Sequence, residues 1–194
     1  MEWRRTLRED LDRLAPGEHM SVITLTLFRL SQGLSEPGFG PLRHLLLLPV
    51  LAAKFVWVDL LMGAQLPRSV KIGPGLRLPH GGRGVCIHPF ARIGRDATIF
   101  QSVGIGAIEE LDDQGQALPA QLELPVIGDG VYIGTGASLY GPITIGDRVR
   151  IGIGAVVLRD VPDDASVLPA PGRIMVRKKT ADEADAADAP AGGS

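Results

Sequence analysis

Between Ile127 and Val157, apolar residues return every six positions: Ile127, Ile133, Leu139, Ile145, Ile151 and Val157. A second series stands four further on, at Val131, Ala137, Ile143, Val149, Ala155 and Val161. Glycine follows four of the leading residues, as Gly128, Gly134, Gly146 and Gly152. This period fits neither a helix of about 3.6 residues per turn nor a strand that alternates by two. It limits the fold more than any other property of the chain. A flat-sided parallel β-solenoid satisfies it. Each hexad is a short strand and a turn, three hexads close a triangular coil of about 18 residues, and coils stack about 4.8 Å apart. The leading residue and the small residue four later point inward. Glycine suits the corners that need positive φ, and stacking pairs the backbone polar groups of each coil with its neighbours.

The same register can be followed outward. Leu66, Ile72 and Leu78 set it, and Ile87, Ile93, Ile99 and Ile105 resume it. Nine residues separate Leu78 from Ile87, so three extra residues within His80–Gly84 must bulge at a corner. A longer interruption, Ala107 to Pro125, is acidic and aperiodic, and a loop of that length inside a regular stack characteristically carries function. The repeat ends at Pro162-Asp163-Asp164, after which Val167–Arg173 reads as a last strand and turn. Ahead of the coils, Trp3, Leu7, Leu11 and Leu14 recur at helical spacing, and Ala15-Pro16-Gly17 stops that helix. Val22–Leu34 reads as a second helix by length. Leu42–Met62 reads as a third helical segment, broken or started near Pro49. The expected organisation is an α-helical region over 1–62, a β-helix over 63–176 and a basic then acidic disordered tail over 177–194. The helical region caps the strand edges that the first coil leaves unpaired, and the tail lacks the apolar content to order itself.

Composition narrows the functional classes. Aromatic residues are only 5% of the chain against 45% hydrophobic, which suits a thin core of Ile, Val and Leu. The single Cys86 excludes an intrachain disulfide and points to a cytoplasmic setting. The net charge is −2, and no basic stripe with interleaved aromatics argues for nucleic acid. No leader peptide is visible at the start. Leu45–Met62 is interrupted by Pro49, Lys54 and Asp59, against a spanning helix; a core or oligomer-facing helix is expected, and membrane-surface contact is the less favoured reading. One cysteine and four scattered histidines, His19, His44, His80 and His88, make no tetrahedral metal set.

Several stretches carry a resemblance: Ile72-Gly73-Pro74-Gly75-Leu76, Leu78-Pro79-His80-Gly81, Ile99-Phe100-Gln101-Ser102-Val103, Leu139-Tyr140-Gly141-Pro142-Ile143-Thr144-Ile145-Gly146-Asp147 and Val156–Pro162. By these, Lys71 to Arg173 resembles the hexapeptide-repeat acyltransferases with a left-handed β-helix, and within them the serine acetyltransferase family. The form Leu76-Arg77-Leu78-Pro79-His80, with Ile87-His88-Pro89 after it, looks most like the surface-polysaccharide acetyltransferase branch. The resemblance implies an acetyl-CoA co-substrate with no permanently bound cofactor or metal, and a homotrimer with sites between subunits. It places the catalytic histidine on His80 and its orienting carboxylate on the position of Gln65, with Asp59 as a substitute. Pro79 stands where serine acetyltransferases have Asp, and Glu123-Leu124 where they have an Arg-His pair that helps hold serine.

The chemistry asks for such a base, because a hydroxyl attacks a thioester poorly unless its proton is removed as it attacks, and an imidazole suits that task near neutral pH. His80 stands beside glycines that let a substrate approach the backbone, whereas His88 suits a corner role. The pantetheine arm of acetyl-CoA is expected along Gly134, Thr135, Gly136 and Ala137, with Arg159, Arg173, Lys178 or Lys179 meeting its phosphates. The expected activity is direct acetyl transfer to a hydroxyl, of a sugar or exopolysaccharide precursor. L-Serine is the alternative acceptor, and a non-catalytic binding or assembly solenoid is the second alternative.

Overall fold

The computed structural model of the chain describes residues 2–35, 42–108, 124–172 and 174–175. Its strands form three parallel sheets of four, the faces of a prism. The first face stacks β1 (Lys71–Ile72), β3 (Arg92–Ile93), β6 (Val126–Ile127) and β9 (Thr144–Ile145). The second stacks β4 (Thr98–Ile99), β7 (Tyr132–Ile133), β10 (Arg150–Ile151) and β12 (Ser166–Val167). The third stacks β2 (Cys86–Ile87), β5 (Gly104–Gly106), β8 (Ser138–Tyr140) and β11 (Val156–Val157). The six-residue register becomes columns of like residues. Ile72 pairs with Ile93, Ile93 with Ile127 and Ile127 with Ile145 on the first face. Ile87, Ile105, Leu139 and Val157 do the same on the third. All of these are buried. Each buried side chain of this kind stabilises by about 1.5–3 kcal/mol relative to exposure, so a polar residue in any column would be felt.

The glycines that follow the first-face strands, Gly94, Gly128 and Gly146, do not have the positive φ expected of a corner glycine, and their cause is close approach between coils. Asp129 Oδ1 accepts the Arg95 N–H at 2.7 Å, Asp147 Oδ1 the Asp129 N–H at 2.8 Å, and Asp163 Oδ1 the Asp147 N–H at 2.9 Å. The aspartates form a staircase, each capping the coil before it. A Cβ at Gly94 would stand 2.7 Å from the Gly128 carbonyl carbon, so only glycine lets the coils close there.

Of three helices, α1 (Glu2–Asp12), α2 (His19–Gly33) and α3 (Leu42–Lys54), the last packs against α2 and the first two cap the first coil. Asp10 and Arg29, both buried, fasten them to it. Arg29 Nε donates to Asp10 Oδ2 at 2.7 Å, and its other nitrogens donate to the Ile72 and Gly73 carbonyls at 2.9 and 2.7 Å. Asp10 Oδ1 accepts the Leu76 N–H at 2.8 Å. Burial pushes the Asp10 carboxyl above its ordinary range, against the opposing pull of Arg29. Glu18 meets Arg77 at 2.6 Å, and Glu9 meets Arg95 at 2.9 Å, across the same junction.

One helical expectation is corrected. Pro49 does not break or start the third segment, which runs through it as α3 and changes geometry only at Phe55–Leu61, a π-helix. An interior proline removes one N–H and crowds the carbonyl four residues earlier, at about 3 kcal/mol, and α3 nevertheless continues past it to Lys54. The wider turn of a π-helix brings residues five apart onto one face, and Lys54 Nζ meets Asp59 Oδ2 at 3.1 Å. No described helix is long and apolar enough to cross a membrane. Most of the Ala107–Pro125 loop and the tail from 176 onward lie outside the described residues.

Candidate active site

The three extra residues between Leu78 and Ile87 form a 3₁₀ turn, Pro79–Gly82, on the edge where the second face passes to the third. His80 sits in it with φ 58° and ψ 28°, exposed, and Gly81 and Gly82 follow at φ 72° and 70°. Three successive left-handed residues are strained for anything but glycine, so the turn must be held from outside. The holding groups come from α2. The Ser21 hydroxyl donates to the Leu78 carbonyl at 2.7 Å and accepts the Gly81 N–H at 3.3 Å. The Thr24 hydroxyl donates to the Gly81 carbonyl at 3.0 Å, and the Trp57 indole N–H donates to Thr24 Oγ1 at 3.1 Å. Ser21 and Thr24 are fully buried. A Cβ on Gly81 would stand 2.9 Å from the Met20 Cβ, so the helix also closes over the turn.

The edge continues coil by coil beneath His80. The Ser102 N–H donates to the Arg83 carbonyl at 2.8 Å, the Gly136 N–H to Gln101 at 3.0 Å, and the Gly154 N–H to Thr135 at 2.8 Å. Gly84, Ser102, Gly136 and Gly154 all have positive φ, stacked as one line of tight corners. Gly134–Ala137 therefore lies on the same edge as His80, two coils away, about 10 Å at the strand spacing. Its Gly134, Gly136 and Ala137 N–H groups are already spent on coil bonds, which leaves the Thr135 N–H and the Gly136 carbonyl without backbone partners among the described residues. Gly134 is itself required by packing, since a Cβ there would stand 2.8 Å from the Ile153 nitrogen.

Other expected residues stand elsewhere. Gln65 Oε1 accepts the Cys86 thiol at 3.2 Å, on the outer side of the third face, where the two residues are bridged neighbours. Asp59 is engaged by Lys54. No described side chain hydrogen-bonds to the His80 ring, so neither expected orienting residue reaches it within one chain. Arg159 is exposed on the edge joining the third face to the first, not on the His80 edge. Arg173, Lys178 and Lys179 lie outside the described residues. His88 has the corner role its sequence suggests, its Nδ1 accepting the Phe90 N–H at 3.3 Å. Ser21, Thr24 and Trp57 were missed by sequence reasoning; Ser21 and Thr24 stand three apart in a helix that carries other polar residues too, so their spacing alone does not single them out.

Comparison with known proteins gives consistent results. The family model described as bacterial transferase hexapeptide (six repeats) matches residues 125–159. A serine acetyltransferase of Bacillus subtilis is 35% identical over 185 residues, covering 89% of this chain and 77% of that protein. One from Synechococcus elongatus is 37% identical over 118 residues, covering 61% of this chain and 45% of that protein. The chain spans about half the length of the first curated relatives it matches. Among solved structures, Entamoeba histolytica serine acetyltransferase 1 in complex with L-cysteine superposes with a TM-score of 0.67 at 26% identity, covering 86% of this chain and 63% of that one. Isoform 3 from the same organism, at 21% identity, shares the fold with a TM-score of 0.68 over 97% of this chain and 65% of that one. The fold is the left-handed β-helix expected from the resemblance. These relatives bear the name serine acetyltransferase, so the expected placement in the polysaccharide branch has no support from them.

Proposed function

This chain belongs to the serine acetyltransferase family, and from that premise we propose that it transfers an acetyl group from acetyl-CoA to the hydroxyl of L-serine. The observation that carries the reading is the position of His80: exposed on a kinked edge, held by α2, and in line with the Gly134–Ala137 corner. In the proposed reaction His80 accepts the serine hydroxyl proton as the oxygen attacks the thioester carbonyl. The tetrahedral oxyanion is held by backbone N–H donors. Its collapse breaks the carbon–sulfur bond, and the imidazolium returns its proton to the leaving CoA thiolate. The Cys86 thiol is turned toward Gln65, which favours direct transfer over an acyl-enzyme. The pantetheine arm lies along the edge, where the Thr135 N–H and the Gly136 carbonyl have no backbone partner in the coils. The assembly is a homotrimer in which a neighbour's Arg159 supplies phosphate contacts. The exposed Ile153, Val156 and Leu158 give that assembly an apolar surface.

A second reading, acetylation of a sugar hydroxyl, rests on the buried Pro79 standing before His80 where the family resemblance expects a carboxylate. The test is CoA thiol release with L-serine and, separately, with hexose acceptors. Turnover on L-serine that falls by about 10²–10⁴-fold in His80→Ala supports the first reading. Turnover on hexoses alone supports the second. Unchanged turnover in His80→Ala leaves neither.

A further inference from the structure

A concavity of about 740 Å³ lies between α1, α2 and the first coil, on the first face of the prism and so opposite the His80 edge. That volume is within the range of small-molecule sites. Its charges are one-sided. Arg68, Lys71 and Arg92 line it, and none of them forms an ion pair among the described residues, against the single acid Glu2. The Arg29 guanidinium at its floor is fully spent on Asp10, Gln32 and two carbonyls. The Gln32 amide is likewise spent, on the Arg68 and Val70 carbonyls at 3.2 and 3.0 Å.

One wall group is left over. The Trp3 indole N–H is closed off from solvent and has no partner among the described residues. Its ring is fixed in place, because it lies against Gly33 so closely that a Cβ there would stand 2.6 Å from the Trp3 Cδ2. A buried donor without an acceptor is uncommon and asks for an explanation. An anion in the cleft would meet the three cations together.

We infer that this cleft binds a small organic polyanion, a phosphate ester or a di- or tricarboxylate, with Arg68, Lys71 and Arg92 meeting its charges. The site is separate from the edge used for acetyl transfer. The test is calorimetric titration of the whole chain with citrate and, separately, with pyrophosphate, at ionic strength matched with sodium chloride. Saturable one-site binding of either probe is expected, and which probe binds tells carboxylate from phosphate. Arg68→Ala/Arg92→Ala is expected to weaken it roughly tenfold or more while keeping the wild-type thermal unfolding midpoint. Saturating CoA is expected to leave it in place. No saturable heat with either probe, equal affinity in the double variant, or displacement by CoA would overturn the proposal.

Discussion

His80 is a residue whose position depends on two hydroxyls. Its left-handed backbone and the two glycines after it carry strain of about 1–3 kcal/mol per strained non-glycine residue, and Ser21 and Thr24 hold the turn at its flanks. Thr24→Val would leave the Gly81 carbonyl and the Trp57 indole N–H buried without a partner, at about 1–3 kcal/mol for each group. We expect kcat for acetyl transfer to fall by roughly tenfold or more, in line with catalysis that requires close positioning, with KM for acetyl-CoA little changed. Thr24→Ser should restore it, because the hydroxyl returns. Steady-state kinetics of the three proteins check this, and a KM effect without a kcat effect would contradict it. Gly81→Ala is expected to be worse. It places a side chain at φ 72° and 2.9 Å from the Met20 Cβ, so a lowered midpoint in thermal unfolding should accompany the lost rate.

At the scale of elements, α2 links cap and coil through Arg29 at one end and the His80 turn at the other. Removing one partner of a buried ion pair costs about 3–5 kcal/mol, so Arg29→Met should destabilise the chain by that order. The loss should depend on pH with a definite sign. Arg29 pulls the Asp10 carboxyl down against burial, which raises it. Without Arg29 only the raising influence of burial and the weaker backbone bonds remain. A carboxyl raised on folding contributes stability that is present below its ordinary 3.8 and lost as pH rises through the raised value. Urea unfolding at pH 4 and pH 7 should therefore show a larger gap between wild type and Arg29→Met at pH 7. A gap that is constant, or larger at pH 4, would contradict the account. None of this was legible in the sequence. Helical spacing gives the apolar face of α1 and α2, but Asp10 and Arg29 pair across 19 residues, and the coil partners of Asp10, Ser21, Thr24 and Arg29 lie 43 or more residues away, set by tertiary packing. The π-helix escaped for a similar reason: Pro49 is the visible breaker, while the Lys54–Asp59 pair that accompanies the change is five apart, outside helical pairing rules.

For the whole molecule, the six-residue period carried nearly all of the solenoid, because each position in it has one physical job. Ile and Val fill the columns, and glycine opens the corner where the next aspartate crosses. The bulge at His80–Gly84 was legible for the same reason, since three extra residues in a strict period must leave the wall. What the period does not encode is the outer surface, and Gln65 turned to Cys86 rather than to His80 is the clearest case. Sedimentation equilibrium should give about three times the chain mass, and Ile153→Asp, at an exposed position on the His80 edge, should lower it. A monomer with full activity would contradict the proposed trimer. The most direct measurement is a crystal structure with CoA bound. The account predicts the pantetheine arm along the edge through Ser102, Thr135–Gly136 and Gly154, with the thiol next to His80 at a distance that leaves an acceptor hydroxyl within hydrogen-bond reach of the imidazole. CoA seated on another edge, with its sulfur remote from His80, would contradict it.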